Sequence, residues 1–394
     1  MKILVAPSGF KESMMADKVA ECIERGIRRI APEAEVLKMP IVDGGEGFTK
    51  ILVDVTKGTL HHVVTMGPVG QPVESFFGLL GGEPVTTAII EMAATAGLSL
   101  IPPQQRNPMH TTTYGLGELI KHALDAGTQR ILIGCGDSGT NDGGAGMVQA
   151  LGAKLLNKKG EQIALGAQGL LDLHRIDLQD LDPRLKEVQI DAACNPHVQL
   201  CGKQGVARIF GPQKGATPTQ VELMDQALTH WGEKIQEQTG INVINVPGTG
   251  ASGGLGAGLM AFLGAPLHPR YDIIMQYQHL DEMLKGVDLV VTAEGAIDFQ
   301  THRGKVPVEV ARQAKLQGIP VVALAGTIGK GARENYDFGI DSYISILKKP
   351  CSLETAIEDS PKLIASAAER LMRFILVGMN LSKRINLQAP LAAA

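Results

Sequence analysis

Apolar positions along the chain fall into short runs, set apart by stretches of helical spacing and by loops rich in glycine and acid. Residues 2–6 form the first run. Val19, Cys22, Ile23, Ile27 and Ile30 then recur with a helical period, and residues 36–42 form a second run. This alternation predicts a βαβ unit with parallel strands. The same grammar returns near the other end: a strand at 288–292, a polar loop at 293–305 and a helix at 306–316. Further strands are expected at 320–325 and 342–346, then a helix over 353–376. The middle of the chain carries a helix at 115–126 and a strand at 129–133.

The pattern therefore predicts an α/β protein in which the two ends build one doubly wound, Rossmann-like parallel sheet. At 394 residues the chain exceeds one compact core. The expected division is 1–60 with 285–380 as a discontinuous Rossmann-like domain, 61–284 as an inserted α/β domain, and 381–394 as a C-terminal tail.

Composition narrows the partners. With 44% hydrophobic and 20% charged residues the chain reads as globular. A net charge of -4 with no basic run argues against nucleic acid and anionic membrane as partners. The aromatic content, 4%, leaves little for stacking on bases. Five cysteines without CxxC spacing suggest neither a zinc knuckle nor a redox dithiol, and fit a reducing cytoplasm. The opening apolar run is too short for a signal peptide. The uncharged stretch 241–267 is broken by glycines and Pro247, so it is expected to be loop and tight packing instead of a membrane span.

The 47 glycines cluster in loops that carry candidate chemistry. In doubly wound sheets, ligands sit beyond the carboxyl ends of the strands. That rule gathers residues 8–13, 43–47, 294–305 and 326–329, which mix carboxylates and lysines with glycine. Such loops suit a magnesium–phosphate complex, although Asp43 and Glu46 would equally serve to cap a helix. A second cluster, Gly134-Cys135-Gly136-Asp137-Ser138-Gly139-Thr140-Asn141-Asp142-Gly143-Gly144, holds more glycine than a turn needs. A third, residues 247–254, precedes a helix and could seat an anion. A fourth, Phe210-Gly211-Pro212-Gln213-Lys214-Gly215, reads equally as a binding turn or a solvated one. Both middle glycine loops contain a literal GxGxxG, which makes an NAD-dependent oxidoreductase a distant alternative. About twenty positions after the first the chain is basic, at 154–159, and after the second Asp272 stands before an apolar run instead of after one, so the fingerprint's acid is not in place. No Walker P-loop or HExxH is present.

Taken together, the motifs resemble those of the bacterial type-one glycerate kinase family. They are Phe10-Lys11-Glu12-Ser13, Ile41-Val42-Asp43-Gly44-Gly45-Glu46-Gly47, Ile90-Glu91-Met92-Ala93, Arg106-Asn107-Pro108 and Asp142-Gly143-Gly144. Phe210 to Thr217 and Asp298-Phe299-Gln300-Thr301 with Gly304-Lys305 complete the set, in family order. The resemblance implies ATP- and Mg2+-dependent phosphorylation of D-glycerate, typically to 2-phosphoglycerate, in a cleft between two α/β domains. Departures fall inside these loops: Ser8 and Asn195 stand where the family carries an acid, Ala296 where it carries arginine, and Asp137 where it carries glycine. A kinase retuned to another small hydroxy acid, and a ligand-binding paralogue with little turnover, are the alternatives these departures raise.

On this reading Asp43 and Glu46, with Glu294 or Asp298, hold the metal and its waters. Lys11, Lys214 and Lys305 neutralise phosphate or the substrate carboxylate. Ser138, Thr140, Asp142, Gly143 and Gly144, with Gly250, Ser252, Gly253 and Thr301, contact the nucleotide or the acid. Asp43, then Asp298, is expected to activate the attacking hydroxyl, and Arg106 either to clamp a carboxylate or to serve at the surface. The sequence leaves the oligomeric state open.

Overall fold

The structure, a computed structural model, describes residues 1–10, 13–41, 45–82, 84–277, 279–302 and 304–388. The chain is an α/β protein whose contacts divide it into two compact units, Met1–Val42 with Gln278–Ala394, and Asp43–Tyr277.

The first unit is built on an all-parallel five-stranded sheet. From edge to edge the strands are Glu35–Lys38, Lys2–Val5, Leu289–Ile297, Val321–Ile328 and Ser342–Ser345. Counted along the chain within this unit, the order is 2-1-3-4-5. Its direction therefore reverses between Lys2–Val5 and Leu289–Ile297, and that reversal marks the crevice where such sheets take ligands. Apolar runs at both central strands are buried, as parallel strands covered on both faces require. Helix Ala16–Arg28 buries Val19, Ile23 and Ile27 against the core. It crosses helix Ser360–Gln388 at Gly26, where a Cβ would lie 2.2 Å from the Ala365 carbonyl oxygen, so only glycine permits that approach.

Three elements of this unit differ from the sequence expectation. The strand read as 288–292 runs on to Ile297, through residues expected to be loop. Its partner is also longer than expected, so Glu294, Ala296 and Ile297 pair with Ala325, Thr327 and Ile328. The helix expected over 353–376 is two: Leu353–Glu358, capped by Ser352, and Ser360–Gln388. The second helix continues through the first part of the expected tail, and 389–394 lie outside the described residues.

The second unit carries a six-stranded mixed sheet. Strands Leu267–Pro269, Gln189–Cys194, Arg130–Gly134 and Thr87–Glu91 run parallel, and the hairpin Thr59–Met66/Pro72–Leu79 closes the edge antiparallel. Helix Phe48–Thr56 packs here, with Val53 against the backbone of Gly78, so residues 45–60 join this unit and not the first as expected. The helix read as 115–126 is Tyr114–Asp125 and the strand read as 129–133 is Arg130–Gly134. The uncharged stretch 241–267 is not only loop: it contains the buried helix Ala251–Leu263, kinked at Ser252, Gly253 and Gly254. Among the described residues no helix is long and apolar enough to cross a membrane.

Candidate active site

In the second unit the glycine-rich loop that follows strand Arg130–Gly134 converges on Lys214. The turn Pro212–Lys214 carries that lysine into the interior, where it is buried. Its Nζ donates to Ser138 Oγ at 2.8 Å, to the Thr140 carbonyl oxygen at 2.6 Å and to Asn141 Oδ1 at 3.3 Å. Three acceptors match the three N–H bonds of an ammonium group. Burial nevertheless pushes its pKa down to about 7, with nearby Asp142 acting in the opposite direction.

Asp142 is fully enclosed. Its Oδ2 accepts from Thr113 N at 2.8 Å, Thr113 Oγ1 at 2.9 Å and Gly146 N at 3.2 Å, and its Oδ1 from Gly144 N at 3.2 Å. Burial raises its pKa while these donors pull it back. These bonds commit Asp142 to the start of helix Ala145–Ala150.

The loop beside it is strained. Ser252, Gly253 and Gly254 are three successive residues in the left-handed region, with Ser252 at φ 52°. Gly253 lies so close to the other loop that a Cβ would sit 1.9 Å from the Thr140 carbonyl oxygen. The amides expected to bind anions are partly used in this packing. Gly143 N donates to Gly253 O at 3.0 Å, Gly144 N to Asp142, and Gly250 N to Val198 O at 3.1 Å. What remains is side-chain chemistry: Thr140 Oγ1, Asn141 Nδ2 and Ser252 Oγ are buried and have no hydrogen-bond partner among the described residues. Buried polar atoms without partners are costly, and here three of them fall in the two loops that meet at Thr140 and Gly253. Arg106 joins this neighbourhood, because Gly215, at φ 93°, packs on the Arg106 backbone. Its Nε donates to the Ile101 carbonyl oxygen at 3.4 Å.

The acid loop lies in the same unit. Asp43 falls outside the described residues, as does Lys11 of the first unit. Glu46 is exposed, and its backbone N–H donates to Asp137 Oδ2 at 3.1 Å. Glu91, at the end of strand Thr87–Glu91, accepts from Gly47 N at 3.3 Å and Thr49 N at 2.8 Å. Burial drives its pKa up to about 7 against those two donors. Sequence reasoning used Glu91 only as a landmark and passed over Asn141. An acid closing an apolar strand, and an amide between Thr140 and Asp142, were the signals available.

In the first unit, Ser8 and Glu294 meet at the reversal of strand order. Ser8 Oγ lies 2.9 Å from Glu294 Oε2 and 3.1 Å from the Ala293 carbonyl oxygen. A few residues on, the half-buried Lys305 lies 3.5 Å from Asp298 Oδ1 and donates to the Ala296 carbonyl oxygen at 3.3 Å. Asp298 Oδ1 accepts from Gln300 N at 2.8 Å, and the buried Thr301 hydroxyl accepts from Asp298 N at 2.9 Å. This second cluster pairs a carboxylate with a lysine at the end of a parallel strand. In the second unit, Asn195 turns inward on its own loop, accepting from His197 N at 3.0 Å.

A magnesium ion needs only one or two carboxylates when it arrives with phosphate oxygens. Among the described residues no group of three or more acidic, histidine or cysteine side chains is placed to hold a metal alone. The exposed Glu46 carboxylate fits the smaller requirement.

Lysine, hydroxyl and carboxylate groups gather in loops beside a parallel sheet in one unit and a mixed sheet in the other, the arrangement of an α/β enzyme. The Gly_kinase model, described as the glycerate kinase family, matches residues 3–376. The chain is 44% identical to a glycerate kinase of Bacillus subtilis (strain 168), over 97% of this chain and 99% of that protein. It is 43% identical to a glycerate 2-kinase of Escherichia coli (strain K12), over 96% and 99%. A solved structure named for a glycerate kinase 2 of Salmonella typhimurium LT2 superimposes with a TM-score of 0.78 at 44% identity, covering 97% of this chain and 100% of that one. The chain belongs to the glycerate kinase family. It is a kinase, a phosphotransferase with an alcohol acceptor, and the nicotinamide alternative is dropped.

Proposed function

We propose that the chain transfers the γ-phosphoryl group of ATP to the secondary hydroxyl of D-glycerate, giving 2-phosphoglycerate and ADP, as a cytoplasmic enzyme. The observation that carries the reading is the buried cluster around Lys214, where Thr140 Oγ1, Asn141 Nδ2 and Ser252 Oγ have no partner among the described residues. Donors held beside a buried lysine suit a carboxylate or phosphate group, which the substrate and the nucleotide both carry.

In the transfer, the glycerate hydroxyl oxygen forms a bond to the γ-phosphorus and the bond from that phosphorus to the bridging oxygen of ADP breaks. The hydroxyl proton passes to a carboxylate. Asp43 is the first candidate for it and Asp298 the second; the latter is set beside Lys305 at 3.5 Å. Phosphoryl transfer asks chiefly for positioning and neutralisation of charge. Lys214 orders the 138–141 loop, Lys305 and Lys11 offset phosphate charge, and Arg106 sits where a carboxylate could be clamped. Magnesium would supply neutralisation of phosphate charge, and Asp43, Glu46 and Glu294 are the carboxylates proposed to hold it. Thr301, Asp142, Gly143, Gly144, Gly250 and Gly253 shape the loops around these groups.

The departures at Ser8, Asn195 and Ala296 favour one narrower reading, a kinase retuned to a related hydroxy acid. The test is a panel of small hydroxy acids incubated with ATP and Mg2+, with ADP release followed and the product examined by phosphorus NMR. D-Glycerate should be the best substrate and its product should carry phosphorus on the secondary carbon oxygen. Preference for another acid would replace glycerate by that acid, and ligand binding with no ADP release from any acid would replace the kinase by a binding protein.

A further inference from the structure

Two carboxylates from elsewhere in the second unit hold the backbone of the acid loop. Asp137 accepts from Glu46 N, and Glu91 accepts from both Gly47 N and Thr49 N, at 2.8–3.3 Å. Helix Phe48–Thr56 begins on Gly47, which has no side chain to cap it, so Glu91 satisfies donors that the helix leaves open. Each bond pairs an N–H group with a carboxylate oxygen and is of the stronger, charge-assisted kind when that carboxylate is ionised.

The two carboxylates spring from one locked platform. Asp137 has φ 49°, a left-handed conformation that an aspartate adopts at some cost and keeps only where its surroundings impose it. Here they do. Leu98 N donates to Asp137 O at 2.9 Å, Gly139 N to Ala96 O at 2.9 Å, and Met92 N to Gly134 O at 3.0 Å. The turn carrying Asp137 is therefore pinned to the segment that directly follows Glu91.

We propose that Asp137 and Glu91 are positioning residues, which fix residues 45–49 so that the exposed Glu46 carboxylate is presented in one orientation to the metal of the nucleotide. The proposal rests on the phosphotransferase reading above. It gives neither carboxylate a contact with substrate: both Glu91 oxygens and Asp137 Oδ2 accept from backbone N–H groups. Asp137 is the stricter of the two, since it reaches Glu46 N from a left-handed backbone that its neighbours hold.

Amide hydrogen exchange of ligand-free protein, read by fragmentation mass spectrometry over residues 45–49, tests the loop directly. Asp137→Gly removes the acceptor and the strain together; Asp137→Asn keeps an acceptor oxygen and tolerates the left-handed backbone. Asp137→Gly should speed exchange at Glu46 about tenfold or more, and lower kcat about tenfold with the KM for D-glycerate changed less than about threefold. Asp137→Asn should stay within about threefold of wild type in both readouts. Glu91→Gln, close in shape and safe for the fold, should speed exchange at Gly47 and Thr49 by less than Asp137→Gly does at Glu46. Unchanged exchange in Asp137→Gly, or faster exchange with an unchanged kcat, would overturn the proposal. So would equal kinetic damage in Asp137→Asn, which would point to a charge contact with ligand. If wild-type protein releases no ADP, the kinase reading fails separately, while the exchange measurement still decides whether Asp137 holds the loop.

Discussion

Lys214 Nζ and Ser138 Oγ lie 2.8 Å apart across 76 residues of sequence, and that bond joins the Phe210–Gly215 turn to the glycine-rich loop. Thr140 and Asn141 are held by the same nitrogen. Replacing Lys214 by methionine keeps most of the volume and removes all three donors. The orphaned Thr140 carbonyl and Asn141 amide would cost about 1–3 kcal/mol each if they stayed dry, partly offset because a buried amine no longer has to be desolvated. The expected result is a fall of a few degrees in Tm with loss of more than about 99% of turnover. Thermal melts and steady-state rates on the same preparation check both.

Ser252 separates strain from binding. At φ 52° a serine costs about 1–2 kcal/mol relative to glycine. Ser252→Gly should therefore stabilise the protein by about 1 kcal/mol while raising the KM of whichever ligand its hydroxyl contacts. Ser252→Ala should raise the same KM without the gain in stability. Equal KM values in wild type and both variants would remove Ser252 from the site.

Gly253 tests the contact between the two glycine loops. A Cβ there would lie 1.9 Å from the Thr140 carbonyl oxygen, on a residue that already sits at φ 74°. Gly253→Ala should destabilise the protein by about 3 kcal/mol or more, as overpacking and left-handed strain add. Denaturant midpoints measure it, and a loss under about 1 kcal/mol would mean the loops part easily.

Glu91 makes stability depend on pH. Its carboxyl is pushed up to about 7 by burial, from an ordinary value of 4.5. The native protein keeps a proton that the unfolded chain gives up between those two values. The contribution of this group is complete below about pH 4.5 and is lost as pH rises through 7. It amounts to about 3 kcal/mol at 1.36 kcal/mol per pKa unit. Urea denaturation between pH 4.5 and 7.5 should show that decline superposed on other groups, and Glu91→Gln should flatten it. An identical slope in the variant would place the carboxyl in a wetter setting than its burial implies.

Much of the fold was legible because its signals are local. The helix Val306–Leu316 starts where Lys305 gives way to Val306-Pro307, and proline favours a helix's first turn. The strands failed at their ends: Glu294 and Ala296 look like loop, yet they pair with a neighbour that also runs long, which only tertiary context supplies. The kinase motifs were legible as a set, while the use of each residue was not. Lys214 stands between glycine and proline like a surface lysine, but its acceptors come from 73 to 76 residues away and bury it. Asp142, Gly143 and Gly144 look like an anion cradle in sequence. In the fold their donors and acceptors are spent on one another and on Thr113 and Gly253, so the free chemistry passes to Thr140, Asn141 and Ser252.

The most direct test of the whole account is the steady-state rate of ADP formation by wild-type protein with D-glycerate, ATP and Mg2+, set beside Lys214→Met under the same conditions. The account predicts about 1–100 turnovers per second that require all three components, with one 2-phosphoglycerate formed per ADP, and more than a hundredfold less in the variant. ADP formation that ignores glycerate, or a variant as active as wild type, would contradict it.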